Sequence, residues 1–199
     1  MPIELWTARM ERPLSDQERE AMLPLLPPAR RERLLRIADA EKQREPLCAY
    51  LILCLALRQR YGWKTLPEVA LTQLGKPYFP EYPDVQFNIS HTSGAVLVGL
   101  SDQELGVDIE KIRPVGQRMM ARMARVSTAE AFFQSWVRRE ARAKRSGNGV
   151  GTIMRSESPL QPGEYYYPLD TFPGYAAGVA TRSKELPGKL HRYSLDDML

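Results

Sequence analysis

The feature that most constrains this chain is that its apolar period changes back and forth along the sequence. Leu47, Tyr50, Leu51, Cys54, Leu55 and Leu57 follow helical spacing inside a pattern running from about 39 to 61, which Gly62 stops. Pro46 falls within the first two turns of that pattern, so the helix starts near it or kinks there. From Glu68 the period shortens. Segments 69–71, 85–90, 95–100 and 106–110 read as short strands divided by turn residues, among them Gly75-Lys76-Pro77. Helical spacing returns over 118–125 and 127–144. Ser127-Thr128-Ala129-Glu130 is a capping box for the second of these, and Gly147-Asn148-Gly149 is its stop. Segments 152–154, 164–167, 175–181 and 190–193 are strand-like again.

Ahead of all this, residues 2–10 read as a strand. Ser15-Asp16-Gln17-Glu18 is a capping box opening a helix toward Leu25, and Pro27-Pro28 ends it. Residues 29–37 form an arginine-rich turn of helix with Arg30, Arg31, Arg33 and Arg36. The order helix-then-strands thus occurs twice. AVLVGL at 95–100 and YAAGVA at 175–180 take comparable places after a glycine turn. The expectation is an α+β fold, pseudo-duplicated in two halves, each a small sheet packed against a long helix, with residues 1–103 in one half and 104–199 in the other.

Composition narrows the function. With 43% apolar and 26% charged residues over 199 positions, the chain can bury a real core, which argues against disorder. The longest apolar stretch, 47–57, is far short of the ~20 residues that a membrane span needs. The N-terminus shows no secretion signal. Cys48 and Cys54 sit in one apolar helical stretch without His or Cys companions, which suits neither a disulfide framework nor a zinc site. A cytoplasmic location is expected. The net charge of +4 suits an anionic small ligand or an acidic partner protein.

Several residues carry possible chemistry. Asp108 and Glu110 lie at i and i+2 of a strand and so share a face. Their mutual repulsion gains the fold nothing, and a hard divalent cation such as Mg²⁺ would reverse its sign. A solvent-exposed strand end is the plainer alternative. Glu140 and Lys144 are an i,i+4 pair, which alone reads as a surface salt bridge. Trp136, one turn earlier, reads as a core anchor. His91 stands where a strand enters the turn Thr92-Ser93-Gly94, whose backbone N–H groups can face an anion. Lys76 and the arginines of 30–36 read as a solvated basic face or as cations converging on phosphate.

Taken in order, GKPYFPEYPDVQFNISHTSG, GVDIEKIRP and WVRREARAKRSGNG resemble the 4′-phosphopantetheinyl transferase superfamily, with the surfactin-synthetase-activator type as the nearest branch. The G-K-P turn, the F-N-x-S-H segment, the G-x-D-x-E strand and a W-x-x-K-E-x-x-x-K helix occur in the family's order. One substitution departs from the pattern: Arg139 stands where the family has Lys. The resemblance spans nearly the whole chain and implies that family's fold. It also implies an enzyme that moves the 4′-phosphopantetheine arm of coenzyme A to a serine of an acidic acyl or peptidyl carrier protein, releasing adenosine 3′,5′-bisphosphate. Mg²⁺, or Mn²⁺, would be held by Asp108, Glu110 and Glu140. Glu140 would take the serine proton, and Lys144 would stabilise charge on the pyrophosphate. Lys76, Ser90 and His91 would contact coenzyme A phosphates, Arg30 and Arg33 the adenosine 3′-phosphate, and Arg44 another part of coenzyme A. A monomer is expected, with neither nucleic acid nor membrane as partner. Two other classes compete with it. A Mg²⁺-dependent nuclease would want a lysine two residues after a strand carboxylate, which Glu110-Lys111-Ile112 does not supply. A non-enzymatic basic RNA-binding module, built on the arginine helix and Tyr165–Tyr167, leaves the three carboxylates without a role.

Overall fold

A computed structural model describes residues 2–147 and 159–198. The strand expected at 152–154 lies outside the described residues, as do Asn148 and Gly149. In chain order the elements are β1 (Glu4–Arg9), α1 (Asp16–Met22), α2 (Pro28–Leu35), α3 (Arg44–Tyr61), the short strands β2 (Ala70–Leu71) and β3 (Pro77–Tyr78), β4 (Gln86–Thr92), β5 (Ala95–Ser101), β6 (Leu105–Lys111), α4 (Gln117–Met123), α5 (Ala129–Ser146), β7 (Tyr165–Leu169), β8 (Tyr175–Thr181) and β9 (Leu190–Ser194).

Local chemistry accounts for most boundaries. Ser15 caps α1 by accepting from Glu18 N while the Glu18 carboxylate accepts Ser15 N, the reciprocal box read in the sequence. Pro28 does not end a helix. It opens α2 within its first turn, where a missing N–H costs nothing. Pro46 is tolerated for the same reason, because α3 begins only at Arg44. The N-cap of α5 is Thr128, whose hydroxyl accepts Ala131 N at 3.2 Å, one residue later than the box expected at Ser127.

The strands form a mixed four-stranded sheet, β4-β5-β1-β9, an antiparallel three-stranded sheet, β6-β8-β7, and the small β2-β3 ribbon. β9 pairs parallel to β1, so residues 190–194 complete the sheet begun at the N-terminus. Every residue of β5 is buried, because both of its faces are covered. On one side Val96, Val98 and Leu100 join Trp6, Phe87 and the α3 residues Leu47, Ile52 and Leu53. On the other, Ala95 and Leu97 meet Leu105, Val107 and Ile109 of β6 and Val179 of β8. Each such valine, leucine, isoleucine or phenylalanine side chain fully withdrawn from water contributes roughly 1.5–3 kcal/mol.

The opposite face of the second sheet carries α5, with Phe132, Phe133 and Val137 against Ala176. Gly106 explains how close that helix lies. A Cβ there would stand 2.1 Å from Ala141 O and 2.2 Å from Arg145 N, so only glycine lets the helix backbone touch the strand. The period-2 alternation then turns residues 106, 108 and 110 toward α5, whereas 105, 107 and 109 turn to the core.

Candidate active site

That packing positions the acidic residues. Asp108 is buried, at 3% exposure, below α5. Its Oδ1 accepts Lys144 Nζ at 2.7 Å and Ser90 Oγ at 2.7 Å, and Lys144 Nζ also reaches Ser90 Oγ at 2.8 Å. Glu110, two residues along the same face, is partly buried. Its Oε2 accepts Thr92 Oγ1 at 3.2 Å and Arg113 NH1 at 3.1 Å. Glu140 stands one helical turn before Lys144. Desolvation pushes its carboxyl above the ordinary value, and the charges of Asp108 and Glu110 push the same way, against the Lys144 cation. The Glu140–Lys144 pair is therefore not a solvated surface bridge, since Lys144 is committed to Asp108.

Lys76 shares this space. A cleft of about 260 Å³ opens between the 74–77 turn, β4 and α5, with Lys76, Asn88, Glu140 and Lys144 on its walls. The Lys76 ammonium donates to Arg145 O near the end of α5 at 2.7 Å. Desolvation and the Arg145 charge lower its pKa, with Glu104 opposing.

His91 is the last residue but one of β4 and is exposed at its surface. Desolvation first and the Lys144 charge second hold its pKa below the ordinary imidazole value, with Glu45 opposing. Arg44 lies beside that turn through Glu45. Its guanidinium donates to Glu45 Oε1 at 2.6 and 3.2 Å, and the same oxygen accepts Gly94 N at 3.0 Å. Burial would raise the Glu45 carboxyl, but these donors outweigh it and the net direction is down. The other two arginines of the expected set are placed differently. Arg30 donates to Val69 O at 3.2 Å and lies over the Tyr50 ring at 5.1 Å, and Arg33 is exposed on α2. Trp136 is half-buried and stacks on Phe132, as an anchor of α5. Arg139, the departure from the motif, is buried on the same helix.

The sequence reading did not single out Asn88, Thr92 or Glu45. The first two left a signal: polar side chains at 88, 90 and 92 alternate along one face of a strand that otherwise enters the core. Glu45 left none, because its role depends on a turn 49 residues away.

Do these residues suit a divalent cation? Among the described residues no group of three His, Cys, Asp or Glu side chains is closed around a ready-made metal position. Asp108 instead spends Oδ1 on Lys144. Its Oδ2, however, is buried with no hydrogen-bond partner, an arrangement that costs free energy unless something completes it. Hard carboxylate oxygens on one strand, with a third carboxylate on the facing helix, fit Mg²⁺ or Mn²⁺.

No family model matches the chain. A Bacillus subtilis (strain 168) protein named 4′-phosphopantetheinyl transferase Sfp is 24% identical, covering 99% of this chain and 100% of its own length. Over its whole length the chain is similar to 4′-phosphopantetheinyl transferases. Within that family a second Bacillus subtilis protein, named 4′-phosphopantetheinyl transferase, is 26% identical over 78% of this chain and 75% of its own. The 4′-phosphopantetheinyl transferase AcpT of Salmonella typhi is 33% identical over 48% of this chain and 57% of its own. The superfamily is one of enzymes, and the whole-length match is to a protein of the surfactin-synthetase-activator type expected from the sequence. Among the described residues no helix is long and apolar enough to cross a membrane.

Proposed function

We propose that this enzyme transfers the 4′-phosphopantetheine arm of coenzyme A to a serine of an acyl or peptidyl carrier protein and releases adenosine 3′,5′-bisphosphate. The observation that carries the reading is the Lys144–Asp108 pair beside a Glu140 whose proton affinity is raised, on the wall of a cleft that also holds Lys76. In this reading Glu140 takes the proton of the serine hydroxyl, directly or through a water. The serine oxygen forms a bond to phosphorus, and the phosphoanhydride bond to the nucleotide breaks. Lys144 holds a positive charge where the pyrophosphate oxygens gain negative charge. Lys76, His91 and Arg44 supply further positive charge or N–H donors toward coenzyme A, with Arg30 and Arg33 reserved for its 3′-phosphate. Asp108, Glu110 and Glu140 would hold Mg²⁺ or Mn²⁺, which when bound neutralises charge on the pyrophosphate.

The partner in this reading is acidic, in keeping with the net charge of +4. The halves 1–103 and 104–199 descend from one duplicated unit, and a single copy forms the cleft, so the enzyme is a monomer in the cytoplasm. Mass spectrometry of apo carrier proteins incubated with the enzyme, coenzyme A and Mg²⁺ tests the reaction. Addition of one phosphopantetheine arm is the expected result. An unmodified panel of fatty-acid, polyketide and peptide carriers contradicts it.

A further inference from the structure

A second groove, of about 600 Å³, shares no residue with the cleft beside Glu140. It lies between α3, the Leu23–Leu25 turn with its flanking prolines, and residues 63–66. Leu51, Cys54, Leu55 and Arg58 line it at i, i+3, i+4 and i+7 of α3, so one helix face follows it for about 10 Å. Leu26, Ile52 and Leu66, all buried, also line it, and Leu25, 63% exposed, is part of its wall. The groove is preformed. Pro24, Pro27 and Pro28 fix the backbone of one wall. Trp63 is held on another by stacking on Tyr61, with ring centroids 4.9 Å apart, and by Tyr82 at 4.3 Å.

Its charge is mostly of one sign. Arg58 and Lys64 both line the groove and are exposed, and among the described residues neither makes an ion pair. Arg60, in the same last turn of α3, pairs with Glu4. The carbonyl end of α3 accounts for a cation in that turn, but not for Lys64, which lies beyond Gly62. Asp197 is the one acid on the walls, and its Oδ2 is spent on Ser194, accepting N at 2.6 Å and Oγ at 2.7 Å. A concave, largely apolar site with a few placed polar groups is the usual form of a small-molecule site. Here the tail of the ligand must be apolar and its head anionic. We propose that this groove binds a medium-chain fatty acid, with the alkyl chain along Leu51, Cys54 and Leu55 and the carboxylate between Arg58 and Lys64. Exposed cations give the head its orientation and a modest share of the affinity, and the buried methylenes give the larger share. The site stands apart from the transfer reaction and does not depend on that reading.

Calorimetry on the full-length chain tests this, with decanoate kept below its micelle threshold. Decanoate is expected to bind saturably, and octanoate more weakly by about fourfold for each methylene removed. Decanol, of the same length without the charge, should bind about fivefold more weakly than decanoate. Arg58→Gln combined with Lys64→Gln should bring decanoate down to the affinity of decanol and leave decanol unchanged. Leu25→Glu, a change at an exposed position, should weaken decanoate about tenfold through like charge. Coenzyme A should not displace decanoate. A wild type that binds decanoate in this charge-dependent way but modifies no carrier supports the groove and defeats only the transferase reading. Absence of saturable binding, equal affinity for decanoate and decanol, or unchanged decanoate affinity in Leu25→Glu would overturn the proposal. Displacement by coenzyme A overturns it too, because the ligand would then lie in the cleft beside Glu140.

Discussion

Helix α5 carries a buried ion pair on each of two sides, and the two are built to opposite standards. On one side Glu164 is fully satisfied. Oε1 accepts Arg142 Nε at 3.0 Å and Arg145 NH2 at 3.4 Å, and Oε2 accepts Arg142 NH2 at 2.8 Å and Gln161 N at 3.0 Å. On the other side Asp108 shares one oxygen between Lys144 and Ser90 and leaves the second without a partner. A planar guanidinium closes a carboxylate in a fixed fork, whereas a lysine ammonium is a mobile point charge. The first arrangement ties the segment following residue 158 to the helix. The second is incomplete as it stands, and Glu140, pushed up by desolvation first and by its acidic neighbours second, adds to the imbalance. A fold keeps an uncompensated charge cluster where a ligand completes it. The contrast teaches that burial alone does not mark a functional carboxylate.

Four experiments break or sharpen the contrast. The largest effect is expected from Asp108→Ala or Lys144→Ala. Each should lower carrier modification by roughly 10³-fold while circular dichroism shows a folded protein. Next comes Glu164→Ala, which removes the buried carboxylate that Arg142 and Arg145 share. It should cost about 3–5 kcal/mol in urea unfolding, as removal of one partner from a buried pair does, with the folded fraction still active. The pH response of the same pair is smaller. Burial raises the Glu164 carboxyl, but Arg142 and Gln161 N outweigh it, so its folded value lies below the ordinary 4.5. The unfolded chain therefore binds the proton more readily. The stabilisation from Glu164 is present above that ordinary value and is lost as the pH falls through the folded one. Melting curves of wild type and Glu164→Gln should converge in acid and diverge toward neutrality. The smallest effect on stability is expected from Glu140→Gln. Its carboxyl is raised in the folded state, so its charge at neutral pH works against folding. The variant should be inactive yet melt on the order of 2 °C higher. A lower melting point would mean that the Glu140 charge is already compensated.

Much of this was legible in the sequence because it is periodic or local. The 3.6-residue spacing of Leu47 to Leu57 gave α3, and the i,i+2 spacing of Asp108 and Glu110 put both on one face, as found. Ser15 and Glu18 gave a helix start. Pro28 misled, since the same residue that stops one helix can open the next, and only the intervening turn at Leu23–Leu25 decides. The α5 cap shifted by one residue because Ser127 and Thr128 are chemically alike. What stayed hidden is long-range pairing. Nothing local joins Arg142 to Glu164, 22 residues on, or Glu45 to Gly94, and nothing local sends β9 back to β1. The site was legible as a set of residue types in order. Its wiring was not: Ser90 and Lys144 meet on one oxygen of Asp108 only once Gly106 has let α5 onto the strand. Arg30 and Arg33, expected with the other cations, lie on α2 away from that wiring.

The central claim is that the unmatched acidic cluster under α5 serves transfer of a phosphopantetheine arm. The most direct measurement follows a single apo carrier protein by intact-mass spectrometry with coenzyme A and Mg²⁺, using wild type and Asp108→Ala side by side. The account predicts conversion by the wild type, none by the variant, and adenosine 3′,5′-bisphosphate formed one for one with modified carrier. Equal conversion by a folded Asp108→Ala protein would contradict it.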